Sequence, residues 1–321
     1  MKEIKNVSII GMGALGVMYG SHLAHHMGFD HVTYIMDEKR YEKYKGSTVT
    51  CNGEKLSFTC VPASQAVPAD LVIVAVKSTG LTEALDTMKN CIGPDTVILS
   101  VMNGISSEEI IGEKVGESHV LYSLIKVASH KEENGYCFNP ETTIGIVFGE
   151  LTAPYQSERV QAIEDLFADT GLHYRATECI REEMWCKFRL NVCNNLPQAV
   201  LGAGVGCYRD SVHMKEISNK LREELEAIAA AKGIDIRKAD DSSGHGSAVP
   251  PSARYSTLQD LDAGRHTEID MFSGVLIRMG KELGIPTPYN EYTYHIIKAL
   301  EEKNDGKFDY QKDDESVTCS R

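Results

Sequence analysis

Short apolar runs alternate with amphipathic stretches through the first half of the chain. The runs over 4–10, 31–36, 71–76 and 96–101 are rich in β-branched residues, which favours buried strands. Stretches with helical periodicity follow several of them, and this alternation is typical of a parallel sheet with crossover helices. The other elements predicted here are strands over 120–128, 142–148 and 172–176, a hairpin over 48–60 around Asn52-Gly53, a polar connector over 130–140, and helices from 14 to about 27 and over 38–45, 82–91 and 157–169.

The strand pattern stops near Thr177, and only helical segments follow it. Their predicted bounds are 181–201, 209–232, 254–283 and 289–302, with a loop rich in Gly, Ser and Pro over 240–251. This change of pattern predicts a sheet domain over 1–176 and an all-helical domain over 177–303. The polar residues 304–321 form a tail that we expect to be poorly ordered.

A glycine-rich segment, Gly11-Met12-Gly13-Ala14-Leu15-Gly16, joins the first predicted strand to the first predicted helix. This is the G-x-G-x-x-G pattern in the strand-to-helix context of a dinucleotide-binding site. Gly11 permits the tight turn, Gly13 lets the backbone approach a pyrophosphate, and Gly16 lets helix and strand pack closely. The alternative is a purely structural turn. We interpret the first domain as a Rossmann-type, doubly wound α/β domain that binds NADP(H) or NAD(H) through these six residues.

Asp37 ends the second predicted strand, about 20 residues past the glycines, where an acidic residue usually holds the adenosine ribose hydroxyls. It is equally suited to cap the helix that follows. Lys39 and Arg40 stand beside it and suit a 2′-phosphate instead. The cofactor preference therefore stays open.

The predicted helix over 181–201 carries Lys187, Asn191 and Asn195 at spacings of four residues, which places a cation and two amides on one stripe. Its other positions are largely apolar, so the stripe needs a partner, either a ligand or solvent. Lys77 and Asn103 follow two predicted strands, at the sheet edge where ligands of open parallel sheets bind. A surface lysine and a turn asparagine are the ordinary alternatives.

Composition narrows the class of partner and the compartment. The chain has 321 residues and a net charge of −13, which argues against a nucleic acid or an anionic membrane as its partner. Its apolar runs are too short to span a bilayer, and its start lacks a signal-peptide layout. Nine dispersed cysteines without a C-x-x-C pair indicate reduced thiols and a cytoplasmic location. His22 and His26 have metal-ligand spacing, but we expect a plain helix surface and no metal.

The chain resembles the ketopantoate reductase (2-dehydropantoate 2-reductase) family along nearly its whole length. The motifs that carry the resemblance are GMGALG at 11–16, VKS at 76–78, MNG at 102–104, WCKFRLNVCNN at 185–195 and STLQDLDAGRHTEID at 256–270. The resemblance implies a Rossmann domain followed by a helical domain like the C-terminal domain of 6-phosphogluconate dehydrogenase, with the active site in the cleft that the two form. It also implies reduction of ketopantoate to pantoate, on the route to pantothenate and coenzyme A.

The resemblance further assigns roles to individual residues. Lys187 matches the catalytic lysine and Glu268 the glutamate near it. Asn191 and Asn195 match substrate-binding asparagines, Asn103 an asparagine that bridges cofactor ribose and substrate, Ser256 a serine that meets the substrate carboxylate, and Lys77 a lysine of the cofactor site. Asp37 departs from many members, which place an arginine there for the NADP phosphate.

Ketone reduction by hydride transfer builds an alkoxide, which a cationic proton donor such as Lys187 would stabilise. Two rival functions remain. One is a dehydrogenase of another small 2-oxo or 3-hydroxy acid on the same fold, and the other is a non-catalytic dinucleotide-sensing regulator. The partner we expect is a small 2-oxo acid. The sequence does not determine the oligomeric state, for which we carry a homodimer as the expectation.

Overall fold

The computed structural model describes residues 3–127, 129–132, 135–138, 145–243 and 249–310. The chain forms two compact units. The first comprises Met1–Phe188 with Lys232–Ser247, and the second comprises Arg189–Ala231 with Ala248–Arg321. The sequence boundary expected near Thr177 stays a prediction about the domains. The predicted tail lies outside the described residues from 311 onward.

An eight-stranded sheet forms the centre of the first unit. Its strand order is β12-β11-β8-β7-β6-β1-β2-β5, and all neighbours are parallel except β8 and β11. The strands are β1 (Val7–Ile10), β2 (Val32–Met36), β5 (Thr59–Pro62), β6 (Leu71–Val74), β7 (Val97–Ser100), β8 (Val120–Lys126), β11 (Gly145–Gly149) and β12 (Tyr174–Ala176). Together with the helical second unit, this sheet confirms the predicted fold class.

Helices cover both faces of this sheet. They are α1 (Ala14–Met27), α2 (Glu38–Tyr44), α3 (Leu81–Thr87), α4 (Ser107–Val115) and α5 (Glu158–Phe167). Because successive strand residues point to opposite faces, Ile9 and Ile73 join the core under α1 and α5, while Ile10 and Val74 join the core under α3 and α4. All positions of β1, β6 and β7 are buried, which explains why these strands are apolar apart from Ser8 and Ser100. The helix α4 is absent from the predicted elements.

A second, four-stranded sheet has the order β4-β3-β10-β9. Its strands are β3 (Val49–Cys51), β4 (Glu54–Leu56), β9 (Ser129–Glu132) and β10 (Gly135–Phe138). The predicted hairpin is confirmed, because Asn52 and Gly53 both have positive φ at its turn, 48° and 83°. The predicted polar connector over 130–140 was wrong for β9 and β10. These segments become strands because β10 pairs with both β3 and β9, and the Asn52 side chain accepts a hydrogen bond from the Phe138 N–H at 2.6 Å.

The second unit is helical, and its elements begin at the end of a helix that starts in the first unit. The helical elements are α6 (Ile180–Leu190), a π-helical turn (Asn191–Asn195), α7 (Leu196–Leu201), α8 (Cys207–Asp210), α9 (Val212–Ala231), α10 (Ser256–Asp262), α11 (Ser273–Leu283) and α12 (Pro288–Asn304). The helix α9 packs against α11 and α12. Buried leucines and isoleucines of these three helices, such as Leu225, Leu276 and Ile297, form the apolar core of the second unit.

The single helix predicted over 254–283 was wrong. It is divided into α10 and α11 by a non-helical segment at 263–268, where Gly264 has a φ of +63°. A left-handed glycine ends a helix at low steric cost, so the stop signal was present in the sequence. Part of the predicted 240–251 loop, residues 244–248, lies outside the described residues, and a 3-10 helix occupies Ile236–Ser243. Among the described residues, no helix combines the length and apolarity that crossing a bilayer requires.

Candidate active site

The register of the parallel strands aligns four of the predicted site segments. Ile10 pairs with Ile35 and with Val74, and Val74 pairs with Ser100, so β1, β2, β6 and β7 end at one level. The glycine segment, Asp37, Lys77 and Asn103 follow these four strand ends in that order. The chain also reverses its winding direction beside β1, which is the topological switch point where ligands of such sheets bind.

The glycine segment is shaped for close approach by a ligand. A Cβ on Gly11 would lie 2.6 Å from the Ala75 carbonyl oxygen, and a Cβ on Gly16 would lie 2.0 Å from the Gly11 carbonyl oxygen. Neither position therefore admits a side chain. At Gly13 the nearest atom to such a Cβ is 3.9 Å away. Gly13 is also the N-cap of α1 and supplies no side-chain cap, and the first turn contains no acidic residue. These open N–H groups fit a pyrophosphate.

Asp37 acts as the N-cap of α2. Its carboxylate accepts the Arg40 backbone N–H at 2.9 Å and the Arg40 guanidinium at 3.0 Å. The same guanidinium pairs with Glu83 at 2.8 Å. Of the alternatives for Asp37, the helix cap is therefore observed, and ribose binding stays a prediction. Lys39 and Lys77 are exposed, and Lys77 precedes a 3-10 turn over Ser78–Gly80.

Lys187 and Asn103 come together in the first unit. The Lys187 ammonium on α6 donates a hydrogen bond to the Asn103 side-chain oxygen at 3.1 Å. Asn103 lies just past β7 in the connection to α4, where Gly104 has a φ of +100° and turns the chain. Both side chains are half-buried, so the ammonium is fixed in direction and still reachable. The structure thus joins two residues that lie 84 positions apart in the sequence.

A buried carboxyl near Lys187 was missed in the sequence. Glu108, the second residue of α4, is 2% exposed and accepts a hydrogen bond from the Ser107 hydroxyl at 2.8 Å. Burial raises the pKa of this carboxyl to about 7, and the positive charge of Lys187 opposes that increase. The available signal was the Ser106-Ser107-Glu108-Glu109 run, which has the composition of a helix N-terminus.

The helix that carries the predicted stripe is not a regular α-helix. Its residues 191–195 form a π turn, so the stripe that we calculated from α-helical geometry was wrong in this part. Two features account for the π turn. The Tyr208 hydroxyl accepts from the Gln198 N–H at 3.0 Å and donates to the Asn194 carbonyl, so it interrupts the helix ladder. Pro197 in addition lacks an N–H for the ladder.

Asn195 and Ser256 form a second pair, in the second unit. The Asn195 amide donates to the Ser256 hydroxyl at 3.1 Å, and its oxygen accepts the Thr257 N–H at 3.3 Å. Ser256 is exposed, whereas Asn195 and Thr257 are buried. Two buried atoms here, the Asn191 amide nitrogen and the Thr257 hydroxyl, have no hydrogen-bond partner in the described part of the chain. A buried donor without a partner in the protein needs an explanation, and a hydrogen bond to a bound molecule is one.

Glu268 lies at the end of the segment that separates α10 from α11, and it is buried. The preceding residue anchors it, because the Glu301 carboxylate accepts both the Thr267 N–H at 2.7 Å and the Thr267 hydroxyl at 2.6 Å. Lys298 pairs with Glu301 at 3.2 Å and completes the anchor. The role of Glu268 beside Lys187 stays a prediction. No group of three or more potential metal ligands occurs among the residues the structure describes.

Comparison with known sequences identifies the class. The sequence model of the family described as Ketopantoate reductase PanE/ApbA matches residues 7–151, and the model described as Ketopantoate reductase PanE/ApbA C terminal matches residues 179–301. The class that the fold and the matches define is an oxidoreductase with a Rossmann-like domain. The chain belongs to the ketopantoate reductase family.

Individual relatives support this membership at low identity. The 2-dehydropantoate 2-reductase of Aquifex aeolicus is 28% identical over 251 residues, which covers 76% of this chain and 80% of the relative. Among solved structures, a PanE/ApbA family ketopantoate reductase from Ralstonia eutropha has a TM-score of 0.75 at 24% identity, with 94% and 99% of the two chains covered. A D-mandelate dehydrogenase solved with NADH and anilino(oxo)acetate has a TM-score of 0.79 at 21% identity and the same coverage. These two structures establish the likeness of the fold.

Proposed function

We propose that the protein reduces 2-dehydropantoate (ketopantoate) to pantoate with NADPH or NADH. The observation that carries the proposal is the Lys187–Asn103 hydrogen bond, which fixes an ammonium near the carboxyl end of the sheet in a chain of this family. A dinucleotide-sensing regulator would need the glycine segment but no such ammonium. Reduction of a ketone by hydride transfer is the reaction that the name of the family describes.

When bound, the reduced nicotinamide supplies the hydride. The side chains of the protein supply the proton and the charges that stabilise the developing alkoxide. Lys187 faces the oxygen of the substrate ketone and gives it a proton as negative charge develops there, which leaves the lysine neutral. Asn103 accepts one ammonium N–H and so directs the remaining protons. Gly13 and the open N-terminus of α1 hold the cofactor phosphates.

We assign substrate binding to the side chains of the second unit. The Ser256 hydroxyl and the Asn195 amide donate to the substrate carboxylate, and the unpartnered Asn191 amide nitrogen donates to a further substrate oxygen. For Glu268 we keep the role that the resemblance implies, that of the glutamate near the catalytic lysine. An asparagine oxygen also accepts from a substrate hydroxyl, a contact that favours a hydroxylated acid such as ketopantoate.

Substitution of Asn195 or Ser256 by alanine should raise the substrate KM and leave kcat within a few-fold of wild type. These residues bind the substrate in the ground state and in the transition state alike, so their loss weakens binding uniformly. Steady-state kinetics with varied oxo acid and saturating cofactor measure this. Ser252→Ala, an exposed serine of the same unit, is the matched control. Unchanged KM in both variants would remove these residues from the substrate site.

Replacement of Asp37 by serine should shift the ratio of kcat/KM values towards NADPH. A carboxylate repels a 2′-phosphate, and its removal leaves the Arg40 guanidinium paired with Glu83 alone. Serine keeps an N-cap, so the stability of α2 is preserved, whereas Asp37→Ala loses about 1 kcal/mol of capping. Wild type should use NADH competently. Strong preference of wild type for NADPH, unaltered in Asp37→Ser, would leave Asp37 as a helix cap only.

A panel of 2-oxo acids tests the substrate assignment. Purified protein is assayed with ketopantoate, other branched 2-oxo acids and phenylglyoxylate, with NADPH and with NADH, by loss of nicotinamide absorbance. Ketopantoate should give the highest kcat/KM. A far higher value for another acid would favour the second candidate, a reductase of a different 2-oxo acid, to which the fold shared with D-mandelate dehydrogenase points. No turnover with any acid would favour the regulator.

A further inference from the structure

Glu108 is a buried residue near Lys187 to which the proposed mechanism gives no role. Its carboxyl is 2% exposed in the first unit, and it belongs to a chain of buried hydroxyls. The Ser107 hydroxyl donates to it at 2.8 Å, and the Ser107 and Ser100 hydroxyls lie 2.8 Å apart. The Ser123 hydroxyl donates to the Ser100 carbonyl at 2.7 Å. A buried carboxyl carries a large desolvation cost, so its retention in this position calls for a reason.

Donors and one cation favour the ionised form of this carboxyl. The backbone N–H groups of Glu108 and Ser123 and the Ser107 hydroxyl all favour the carboxylate, and the opposite charge that acts on it is the Lys187 ammonium. Asn103, which holds that ammonium, lies in the connection from β7 to α4, and Glu108 follows in the first turn of α4. This short stretch of chain thus carries two groups that act on Lys187, a hydrogen-bond acceptor and a buried carboxyl.

We propose that Glu108 is a positioning residue that sets the charge state of Lys187 during turnover. The proposal rests on the proposed function. Ionised Glu108 stabilises the ammonium before the reaction. A bound reduced nicotinamide would supply a hydride to the carbonyl carbon and would itself be oxidised, while Lys187 gives its proton to the carbonyl oxygen. The neutral amine then takes its next proton from solvent water. The Glu108 carboxylate makes that last step favourable, because its negative charge favours the ammonium over the neutral amine.

The groups that face Glu108 determine the pH behaviour. They are the Lys187 ammonium on α6, the Ser107 hydroxyl on α4, the Ser123 backbone N–H on β8, and the Tyr122 phenol, which interacts with Glu108 through charge. Burial raises the pKa of Tyr122 to about 12, so this phenol stays neutral near neutrality. The pKa of Glu108 is about 7, raised from an ordinary 4.5 by burial. Glu108 therefore stabilises the fold below its unfolded pKa, and this contribution is lost as the pH rises through about 7.

The first test reads the charge coupling without any turnover. Thermal unfolding is followed against pH for wild type, Glu108→Gln, Lys187→Met and the double variant, with Glu109→Gln as control because Glu109 is exposed on the same helix. The melting temperature of Glu108→Gln relative to wild type should rise from mildly acidic pH to about pH 7 and then level off. In the Lys187→Met background this rise should extend to higher pH, because the cation no longer lowers the pKa of Glu108. Identical pH dependence in both backgrounds would overturn the proposal.

The second test reads the role in turnover. The pH profile of kcat/KM should show an ionisation near neutrality in wild type and in Glu109→Gln, and Glu108→Gln should lack it. The basic limb, where Lys187 loses its proton, should move down by about one pH unit in Glu108→Gln, the usual effect of losing an opposite charge. Glu108→Asp, which keeps a carboxyl, should restore both features.

The outcomes separate this proposal from the proposed function. An unchanged profile in Glu108→Gln, with normal turnover of an oxo acid, would overturn the role of Glu108 and leave the reductase assignment intact. Charge coupling in the melting data without turnover of any acid would overturn the proposed function, and with it the role of Glu108 in catalysis. Should Glu108→Gln fail to fold, Ser107→Ala replaces it, because loss of the donor should move the ionisation to higher pH.

Discussion

Lys187→Ala should lower kcat by about a hundredfold or more, the usual loss when a positioned general acid is removed. The ammonium is the only group that we assign to proton donation, and Asn103 holds it at 3.1 Å in a half-buried setting. The dissociation constant of the cofactor should stay within a few-fold of wild type, because the glycine segment and not Lys187 is expected to hold the phosphates. Steady-state kinetics and a fluorescence titration with NADPH measure the two effects separately.

Two controls make this result interpretable. Lys232→Ala removes an exposed lysine of the same unit and should leave kcat unchanged. Lys187→Arg keeps the positive charge, but a guanidinium does not release a proton near neutral pH. Compared with Lys187→Ala, we therefore expect this variant to recover substrate binding more than kcat. Near-normal kcat in Lys187→Ala would return the lysine to the role of a helix-surface residue, and the proposed mechanism would fail with it.

Gly13→Ala should weaken cofactor binding by about tenfold or more, with little change in melting temperature. An added methyl at Gly13 has no atom closer than 3.9 Å, so the folded protein accepts it. A pyrophosphate that approaches the backbone at Gly13 would clash with the methyl group. A tenfold higher dissociation constant corresponds to about 1.4 kcal/mol of lost binding free energy. Calorimetry with NADPH and with NADH measures the effect.

Gly16→Ala is the matched contrast. The added methyl would lie 2.0 Å from the Gly11 carbonyl oxygen, so α1 must move away from β1, and we expect a loss of about 1–3 kcal/mol in the free energy of unfolding. Gly274→Ala in α11, where the nearest atom is 3.5 Å away, controls for the substitution itself. Wild-type affinity in Gly13→Ala would mean that the glycine segment is a structural turn.

The features that the sequence predicted well depend on local signals. The glycine segment, its flanking strand and helix, and the Asn52-Gly53 hairpin are each encoded within a few residues, and the structure has all of them. The motifs also indicated the family, because several of them occur in the same order along the chain as in its members. The Lys187–Asn103 contact agreed with that indication although it joins distant positions.

The features that were missed depend on tertiary contacts. The π turn at 191–195 arises because the hydroxyl of Tyr208, a residue beyond the predicted helix, enters its hydrogen-bond ladder. The strand β9 is polar and forms through pairing with β10, which in turn pairs with β3. Glu108 is buried only because α4 packs on the sheet, and periodicity alone does not report that burial. The predicted homodimer stays a prediction, which sedimentation velocity would test.

The transfer of deuterium tests the central claim most directly. Ketopantoate is incubated with the protein and with NADPH or NADH that carries deuterium on the transferable position of C4, and the product is analysed by mass spectrometry. The account predicts pantoate that is one mass unit heavier, with the deuterium on C2, and an oxidised cofactor that has lost it. Unlabelled pantoate, or cofactor that keeps its deuterium while ketopantoate is unchanged, would contradict the claim that this protein reduces ketopantoate by hydride transfer.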